Sequence, residues 1–420
     1  MAMAADGSHG SSQGSGNRTR VADVIAWIDA RLTALGREDV RLEDAAGRVL
    51  IEDVQAPLDL PPFDRAAVDG FAVRADETVG ASTYNPLRFR LARHAGDVDD
   101  SVELPAGSAA RLEAGDRLPR GADAIVPLDH AATDEAGACT IIDPVAVGNE
   151  VERAGSHGAR GLTLVRARRR LGPADIGMLA AAGLARAGVV MRPHVHCILS
   201  VDASEGGTPR APVAASDASA PMLRALIERD GGIVEQRGIA RSGAGLREAL
   251  ASPGADIVLL AGSAGRGSGD RLAAALAEAG ALAINGVALR PGVTAGVGVI
   301  TTGVPLFLLP PTPVACYWAY EFFAGRAVRR LGGRDPAFPF RSREMTAARK
   351  IVSEIGMTEV CPVRCADAGT VEPVASFAEA GLRAITDADG FVVIPEGREG
   401  YQKGAVLTVY LYHEQGRAQS

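Results

Sequence analysis

The spacing of apolar residues changes several times along the chain, and each change predicts a different kind of element. Over Val21 to Leu35, the residues Val21, Val24, Ile25, Ile28 and Leu32 recur every three or four positions with Gly36 behind them as a stop, the pattern of one amphipathic helix. From Val54 to about Asp143 the pattern shortens to the runs FAVRA, LRFRLAR, AARLEAG, DAIVPLD and TIID, separated by Gly, Pro and Asp, which predicts strands joined by turns. A second helix opens at Gly172-Pro173, with proline at the first helical position, and ends at Gly183 in a left-handed cap.

Beyond Met191 the pattern alternates. HVHCILSV, IVEQRGI, ADIVLLAG and VPLFLLP read as buried strands, interleaved with helices over Ala220 to Arg229, near Leu246 to Leu250, from Asp270 to Ala279 and from Pro313 to Leu331. Such alternation predicts a parallel sheet covered on both faces, with ligand loops beyond the strand carboxyl ends. Ser200 to Gly207, Gly262 to Asp270 and Pro310 to Pro313 occupy those places. From Pro336 to His413 the segments EVCPVRC, TVEPVA, GFVVIPEG and AVLTVYLY return to strand character and predict a small β-domain.

Composition narrows the function classes. The 420 residues carry 44 basic against 51 acidic side chains, a net charge of -7, so no broad basic face is expected and nucleic acid is not an expected partner. Cys139, Cys197, Cys316, Cys361 and Cys365 form no closely spaced disulfide framework, which suits a reducing compartment and predicts a cytoplasmic protein. The first 19 residues are rich in Gly and Ser, lack the apolar core of a secretion signal, and read as a disordered tail. The longest apolar stretch, Gly292 to Leu309, is interrupted by Thr294, Thr301, Thr302 and Pro305 and reads as strands and turns rather than a membrane span.

The sharpest motif is Leu60-Pro-Pro-Phe-Asp64-Arg-Ala-Ala-Val-Asp69-Gly70-Phe-Ala-Val-Arg74. Its prolines and glycine make a stiff turn presenting two carboxylates five residues apart, suited to a cation or an anion-bound magnesium. Aspartates in turns also cap backbone N–H groups, and that reading stays open beside the first. The segment resembles the P-P-F-D-x-S-A-M-D-G-Y-A-V-R stretch of the molybdopterin molybdenumtransferase family, which includes bacterial MoeA proteins and the E domain of gephyrin. Ala114 to Val126 is similar to that family's T-G-A-x-x-P-x-G-A-D-A-V-V, and Asn285 to Gly292 to its x-G-V-x-x-x-P-G-K-P, in the expected order.

The resemblance implies a multidomain α/β plus β fold: a disordered tail over 1–19, an N-terminal domain from 20–56 and 145–190, a β-rich inserted domain over 57–144, an α/β molybdopterin-binding domain with a parallel sheet over 191–333, and a C-terminal β-barrel over 334–413. It implies insertion of molybdate into adenylylated molybdopterin, magnesium as cofactor, and a homodimer whose active site joins the α/β domain of one subunit to the β-rich domain of the other. A molybdoenzyme or another insertase would be a further partner. Carried onto this chain, Asp64, Asp69 and Asp270 are the catalytic carboxylates, and Asp64, Asp69 and Asp202 hold metal. Ser200, Asp217, Gly262, Ser263, Gly265, Gly267, Arg290, Pro291 and Pro313 are the ligand contacts.

The chain also departs from the family pattern. Where the family has S-T-G-D-E-L, this chain has Ser200-Val-Asp-Ala-Ser-Glu205, so Asp202 and Glu205 supply carboxylates only in a shifted register. Asp217-Ala-Ser219 stands for D-x-N, and Gly262-Ser-Ala-Gly-Arg-Gly-Ser-Gly-Asp270 for G-G-V-S-V-G-x-x-D. That last loop keeps enough glycine to wrap an anion ahead of a helix, although a flexible turn needs glycine as well. Pro291-Gly292-Val293-Thr294 lacks the P-G-K-P lysine, Leu309-Pro-Pro-Thr-Pro-Val-Ala315 puts Pro311 at the glycine of L-P-G-N-P-V-S, and Ala114 replaces a threonine. These changes motivate an alternative, a protein that has lost insertion chemistry and carries molybdopterin or finished cofactor, or that pairs with a true insertase. A scaffold role is a third reading. Among weaker motifs, Cys361-Pro-Val-Arg-Cys365 reads as two strand cysteines rather than zinc ligands, and Arg166 to Arg170 as a solvated run rather than an anion site. Asp97, Asp99 and Asp100 read as an exposed turn, and His94, His130, His157 and His196 form no catalytic pattern.

Overall fold

A computed structural model describes residues 18–92, 103–133, 138–201, 218–240, 254–261, 276–278, 280–367, 369–374 and 381–412. The chain divides into two compact units, one formed by Asp39–Val189 and the other by Met1–Glu38 with Val190–Ser420.

In the 39–189 unit a six-stranded sheet runs in the order Ala124–Pro127, Gly70–Val73, Ser108–Leu112, Leu87–Leu91, Ala138–Ile141, Ala131–Thr133. The strands Ala124–Pro127 and Gly70–Val73 are apolar on both faces because both are covered, whereas Leu87–Leu91 turns Arg88 and Arg90 to solvent. Phe71, Val73, Phe89, Val126 and Ile141 fill one core, while Ala72, Ala110, Leu112 and Ile125 turn to the other with Ala66 and Leu118. Gly70 sits where a Cβ would lie 2.4 Å from the Val126 carbonyl oxygen, so the strand that follows the Asp69 turn packs only with glycine there. A third core of Val40, Leu42, Leu50, Val165, Leu171, Leu179 and Val189 surrounds the helix Pro173–Ala181. Asp175 accepts the Gly172 N–H at 2.8 Å at the start of that helix, and Gly183, at φ +75°, follows its end as the sequence predicts.

In the other unit a six-stranded sheet has the order Ile233–Ala240, His194–Val201, Ile257–Ala261, Pro305–Leu309, Gly296–Val299, Leu282–Asn285. The first four strands are parallel. The last two are antiparallel, which extends the expected parallel sheet into a mixed one. The cause is local: Gly303 N–H bonds Ile300 O at 2.8 Å and Ile300 N–H bonds Val304 O at 2.9 Å, closing a tight turn that cannot supply the crossover a parallel pair needs. One face carries Val195, Cys197, Leu259, Phe307 and Leu309 against the helices Ser219–Arg229, 313–331 and Val21–Arg31; the other carries Ile198, Val258, Leu260, Leu306 and Leu308. The predicted helix near Leu246 lies outside the described residues, and of the one predicted from Asp270 to Ala279 only Leu276, Ala277 and Glu278 are described, as helix.

The first helix stops at Arg31, short of the expected Leu35, because the following residues bond elsewhere: Leu35 N–H donates to Leu331 O at 2.8 Å and Arg330 donates to Leu32 O at 2.6 Å. Thr19, counted in sequence with the tail, pairs with Val287. The long helix over 313–331 is not uniform, since Tyr320–Ala324 forms a π segment. Around it lies a buried charge cluster with no sequence signature. Arg229 forks onto Glu321 (2.7 and 2.9 Å) and reaches Asp230, and Arg329 donates to Asp230 at 2.7 Å.

Strands Thr358–Cys365, Thr370–Pro373, Arg341–Ala347, Val406–Leu411 and Gly390–Ile394 pair in that order, and the last returns to the first, closing a five-stranded barrel around Met345, Val363, Val371, Val392 and Val409. The two-residue strand Leu289–Arg290 joins its edge, with Arg290 in register with Glu359. No helix among the described residues is long and apolar enough to cross a membrane.

Candidate functional site

The Leu60–Arg74 turn is anchored along its length. His157 N–H donates to Leu60 O at 2.8 Å, Leu118 N–H to Asp64 O at 2.8 Å, and Arg65 to Glu152 at 2.7 Å. Asp64 accepts the Ala154 N–H at 2.8 Å with one oxygen and the Arg153 guanidinium at 2.6 Å with the other. Burial would raise its carboxyl, but the Ala154 N–H and the Arg153 charge outweigh that and hold it below the usual carboxylate range. Asp69 is exposed and accepts the Ala114 N–H at 2.8 Å, closing the turn in which Gly115 takes φ +94°. Both aspartates therefore accept a backbone N–H, the capping arrangement left open above, and the second oxygen of Asp64 is taken by the Arg153 guanidinium. Among the described residues no group of three or more His, Cys, Asp or Glu is placed to hold a metal ion.

In the other unit the parallel strands end at Val201, Ala261 and Leu309. Ser200 lies one residue before the first of these ends, in register with Ile239. Asp202, Glu205, Asp217, Gly262, Ser263, Gly265, Gly267 and Asp270 all lie outside the described residues. The loop after Leu309 is described, and Pro313 opens the long helix. Across Pro310, Pro311, Thr312 and Pro313 only Thr312 retains a backbone N–H, so this loop cannot cradle an anion with successive amides.

Arg290, expected to offer a positive charge to ligand, has two carboxylate neighbours. Its Nη2 donates to Glu354 at 2.6 Å, and its Nη1 lies 2.9 Å from Glu359, an ion pair whose geometry lacks an aligned hydrogen bond. Side-chain exposure separates the partners: 63% for Glu354, 2% for Glu359 and 37% for Arg290 itself. Pro291 and Gly292 follow in a turn where a Cβ on Gly292 would lie 3.0 Å from the Leu289 side chain. Glu354 also lines a 460 Å³ open cavity with Lys350, Val352, Ser353, Ile355 and Gln402. Sequence reading missed Glu354 and Glu359 because only the pairing of Leu289–Arg290 with the barrel edge brings them to Arg290.

The weaker motifs resolve plainly. Cys361 is buried and its thiol is pushed up to about 12 by burial and the nearby Glu359 charge, while Cys365 is half-buried on the same strand. In the arginine run, Arg166, Arg168, Arg169 and Arg170 are exposed and Arg169 pairs with Asp175 at 2.9 Å. His130 lies 2.9 Å from Asp143 and His196 lies 3.2 Å from Glu235. His94, Asp97, Asp99 and Asp100 lie outside the described residues.

Comparison with known proteins covers nearly the whole chain. Family models match residues 19–183 (MoeA N-terminal region, domains I and II), 206–330 (probable molybdopterin binding domain) and 344–412 (MoeA C-terminal region, domain IV). Molybdopterin molybdenumtransferase 2 of Mycobacterium tuberculosis is 32% identical over 393 residues, covering 88% of this chain and 94% of that protein. Molybdopterin molybdenumtransferase of Staphylococcus aureus is 29% identical over 415 residues, covering 94% and 96%. Among solved structures, a molybdopterin biosynthesis MoeA protein from Pyrococcus horikoshii superposes with a TM-score of 0.72 at 27% identity, covering 95% of this chain and all of that one.

Proposed function

The chain belongs to the molybdopterin molybdenumtransferase family and thereby to molybdenum cofactor biosynthesis, and from that premise we propose that it inserts molybdate into adenylylated molybdopterin with release of AMP. The observation that carries this reading is the match to all three family regions, over residues 19–183, 206–330 and 344–412.

In this reading the Gly262–Asp270 loop and Ser200 hold the pterin phosphate beyond the strand carboxyl ends, with Asp217, Pro291 and Pro313 as neighbours, and Arg290 meets a substrate oxyanion. Asp69 faces solvent with an oxygen to offer, whereas Asp64 acts on the reaction by fixing the turn through Ala154 and Arg153. Magnesium fits this set poorly. A cation at Asp64 would displace the Arg153 pair, and Asp69 alone is too few ligands for it. No step is assigned to magnesium, and Asp202 remains the proposed source of a further carboxylate. We further propose a cytoplasmic homodimer.

The test is incubation of the purified chain with adenylylated molybdopterin, molybdate and magnesium. Release of AMP together with a cofactor that activates a molybdenum-free apoenzyme is expected; absence of both overturns the reading. One observation favours the carrier alternative: the lysine position is Val293, the glycine turn is Pro311, and Arg290 is already paired, which together leave less free positive charge and fewer donors than the family pattern. Tight binding of molybdopterin without AMP release would select it.

A further inference from the structure

We propose that Glu354 is a displaceable counter-ion that sets the affinity of Arg290 for a tetrahedral oxyanion, making it a specificity-determining residue that acts through Arg290. The proposal rests on the reading above that Arg290 meets such an anion, and it names the group the anion must replace.

The argument starts from the inequality of the two carboxylates. Glu359 sits on the barrel strand in register with Arg290 and is 2% exposed, so removing Arg290 from it would strand a buried charge. Glu354 is 63% exposed and regains hydration at once when it lets go. An arriving anion therefore exchanges with Glu354 and leaves the Glu359 pair in place to hold the guanidinium at the site. The surroundings of Glu354 favour that exchange. The cavity it lines also contains Lys350 and Ser353, and the Ser353 hydroxyl is enclosed with no hydrogen-bond partner. Arg290 reaches this cavity through Glu354, and once that carboxylate lets go, a cation and an unused donor suit oxygens carrying negative charge, with Glu399 as the remaining acidic group. Gly400, on the cavity wall, has φ +115° and a Cβ there would lie 1.9 Å from the Ile351 carbonyl oxygen, so the close pairing of the two short strands beside the cavity requires glycine.

The anion has two sources, free molybdate or the phosphate of a nucleotide, and separate titrations with molybdate and with AMP distinguish them. Glu354→Gln keeps the shape and removes the competing charge. It is expected to tighten binding of one of the two by about two- to fivefold at low salt, the range that one exposed pair commands, with the gain shrinking as salt screens it. Glu399→Gln, a loss of charge in the same cavity from a residue not paired with Arg290, is expected to give less, and the Glu354→Gln gain is expected to vanish in an Arg290→Ala background. The proposal is overturned by an unchanged affinity in Glu354→Gln, by an equal gain in Glu399→Gln, by a gain that survives Arg290→Ala, or by failure of both wild type and variant to bind either anion. AMP release by the wild type is scored separately, so loss of the insertion reading and loss of this one are read from different assays.

Discussion

Two charge clusters in the 190–412 region are built from the same residue types and are held in opposite ways. Arg229, Asp230, Glu321 and Arg329 lie around the π segment with Glu321 at 0%, Asp230 at 1% and Arg329 at 3% side-chain exposure, and Arg229 at the rim at 32% with both of its carboxylate partners enclosed. Arg290 and Glu354 lie at the barrel edge in contact with water. In the first cluster burial pushes the Glu321 carboxyl up, the Arg229 fork opposes it with two hydrogen bonds, and Asp230 accepts from both Arg229 and Arg329, although the buried Arg329 Nε finds no partner. In the second, one partner is buried and the other is solvated, so the cation is positioned and still exchangeable. Enclosure makes a joint; half-exposure makes a site.

The largest test of that contrast is Glu321→Ala. It removes the buried fork partner of Arg229, which is 32% exposed and keeps Asp230, and is expected to cost about 2–3 kcal/mol, less than breaking a fully enclosed pair, whereas replacing Arg229 and Glu321 together by Met is expected to recover most of the loss. Urea unfolding followed by tryptophan emission measures this directly, since Trp27 and Trp318 both belong to this unit and Trp318 is 1% exposed. A cost below about 1 kcal/mol would erase the distinction between the clusters. Gly325→Ala comes next. Alanine favours a helix over glycine by about 1 kcal/mol, but here its Cβ would lie 2.8 Å from the Asp230 carboxylate and 2.9 Å from the Arg329 guanidinium. Overpacking is expected to win, with a net loss of about 1–3 kcal/mol in the same unfolding assay.

What the sequence made legible follows from how local the signals are. The helix from Val21, the strand HVHCILSV and the glycine stop at Gly183 appear where their own residues place them, because periodicity and caps are properties of neighbours in the chain. The 60–74 turn was recognisable for the same reason. The partners that decide what its residues do were not: Arg153 lies 89 positions from Asp64, and Glu359 reaches Arg290 only through a strand pairing that no spacing announces. The π segment was equally invisible, since the run from Pro313 to Leu331 is apolar at helical spacing throughout and the charge cluster around it draws on Arg229 and Asp230, 92 and 99 positions from Glu321 and Arg329.

The 60–74 turn in the 39–189 unit supplies an intermediate case, because Asp64 is 34% exposed and bonded at both oxygens. Its carboxyl is lowered in the folded state, so it contributes stability that is present above the unfolded value near 3.8 and lost as pH falls through the lower folded value. Asp64→Asn is expected to cost about 1 kcal/mol near neutral pH, reduced by its solvent contact, and to flatten the acid limb of stability below about pH 4. Thermal melts from pH 7 to pH 3 check both. AMP release by the same variant then separates the roles. A loss of more than about 100-fold with the fold intact would return Asp64 to the chemistry itself, and a modest loss fits a residue that fixes the turn.

The smallest expected effect tests the open cluster most sharply. Glu354→Gln removes an ion pair that is 2.6 Å long, a distance that would mark a strong contact in a dry interior. At 63% exposure on one side and 37% on the other, both ions regain most of their hydration when the pair is lost, and the loss in stability is expected to be below about 0.5 kcal/mol. Arg290 keeps Glu359, so no buried charge is abandoned and the Leu289–Arg290 pairing to the barrel edge stays. The same urea titration that registers the Glu321→Ala loss should scarcely move. A loss above about 1.5 kcal/mol would mean that Glu354 is as structural as Glu321, and Arg290 would then have no exchangeable partner for an anion to replace.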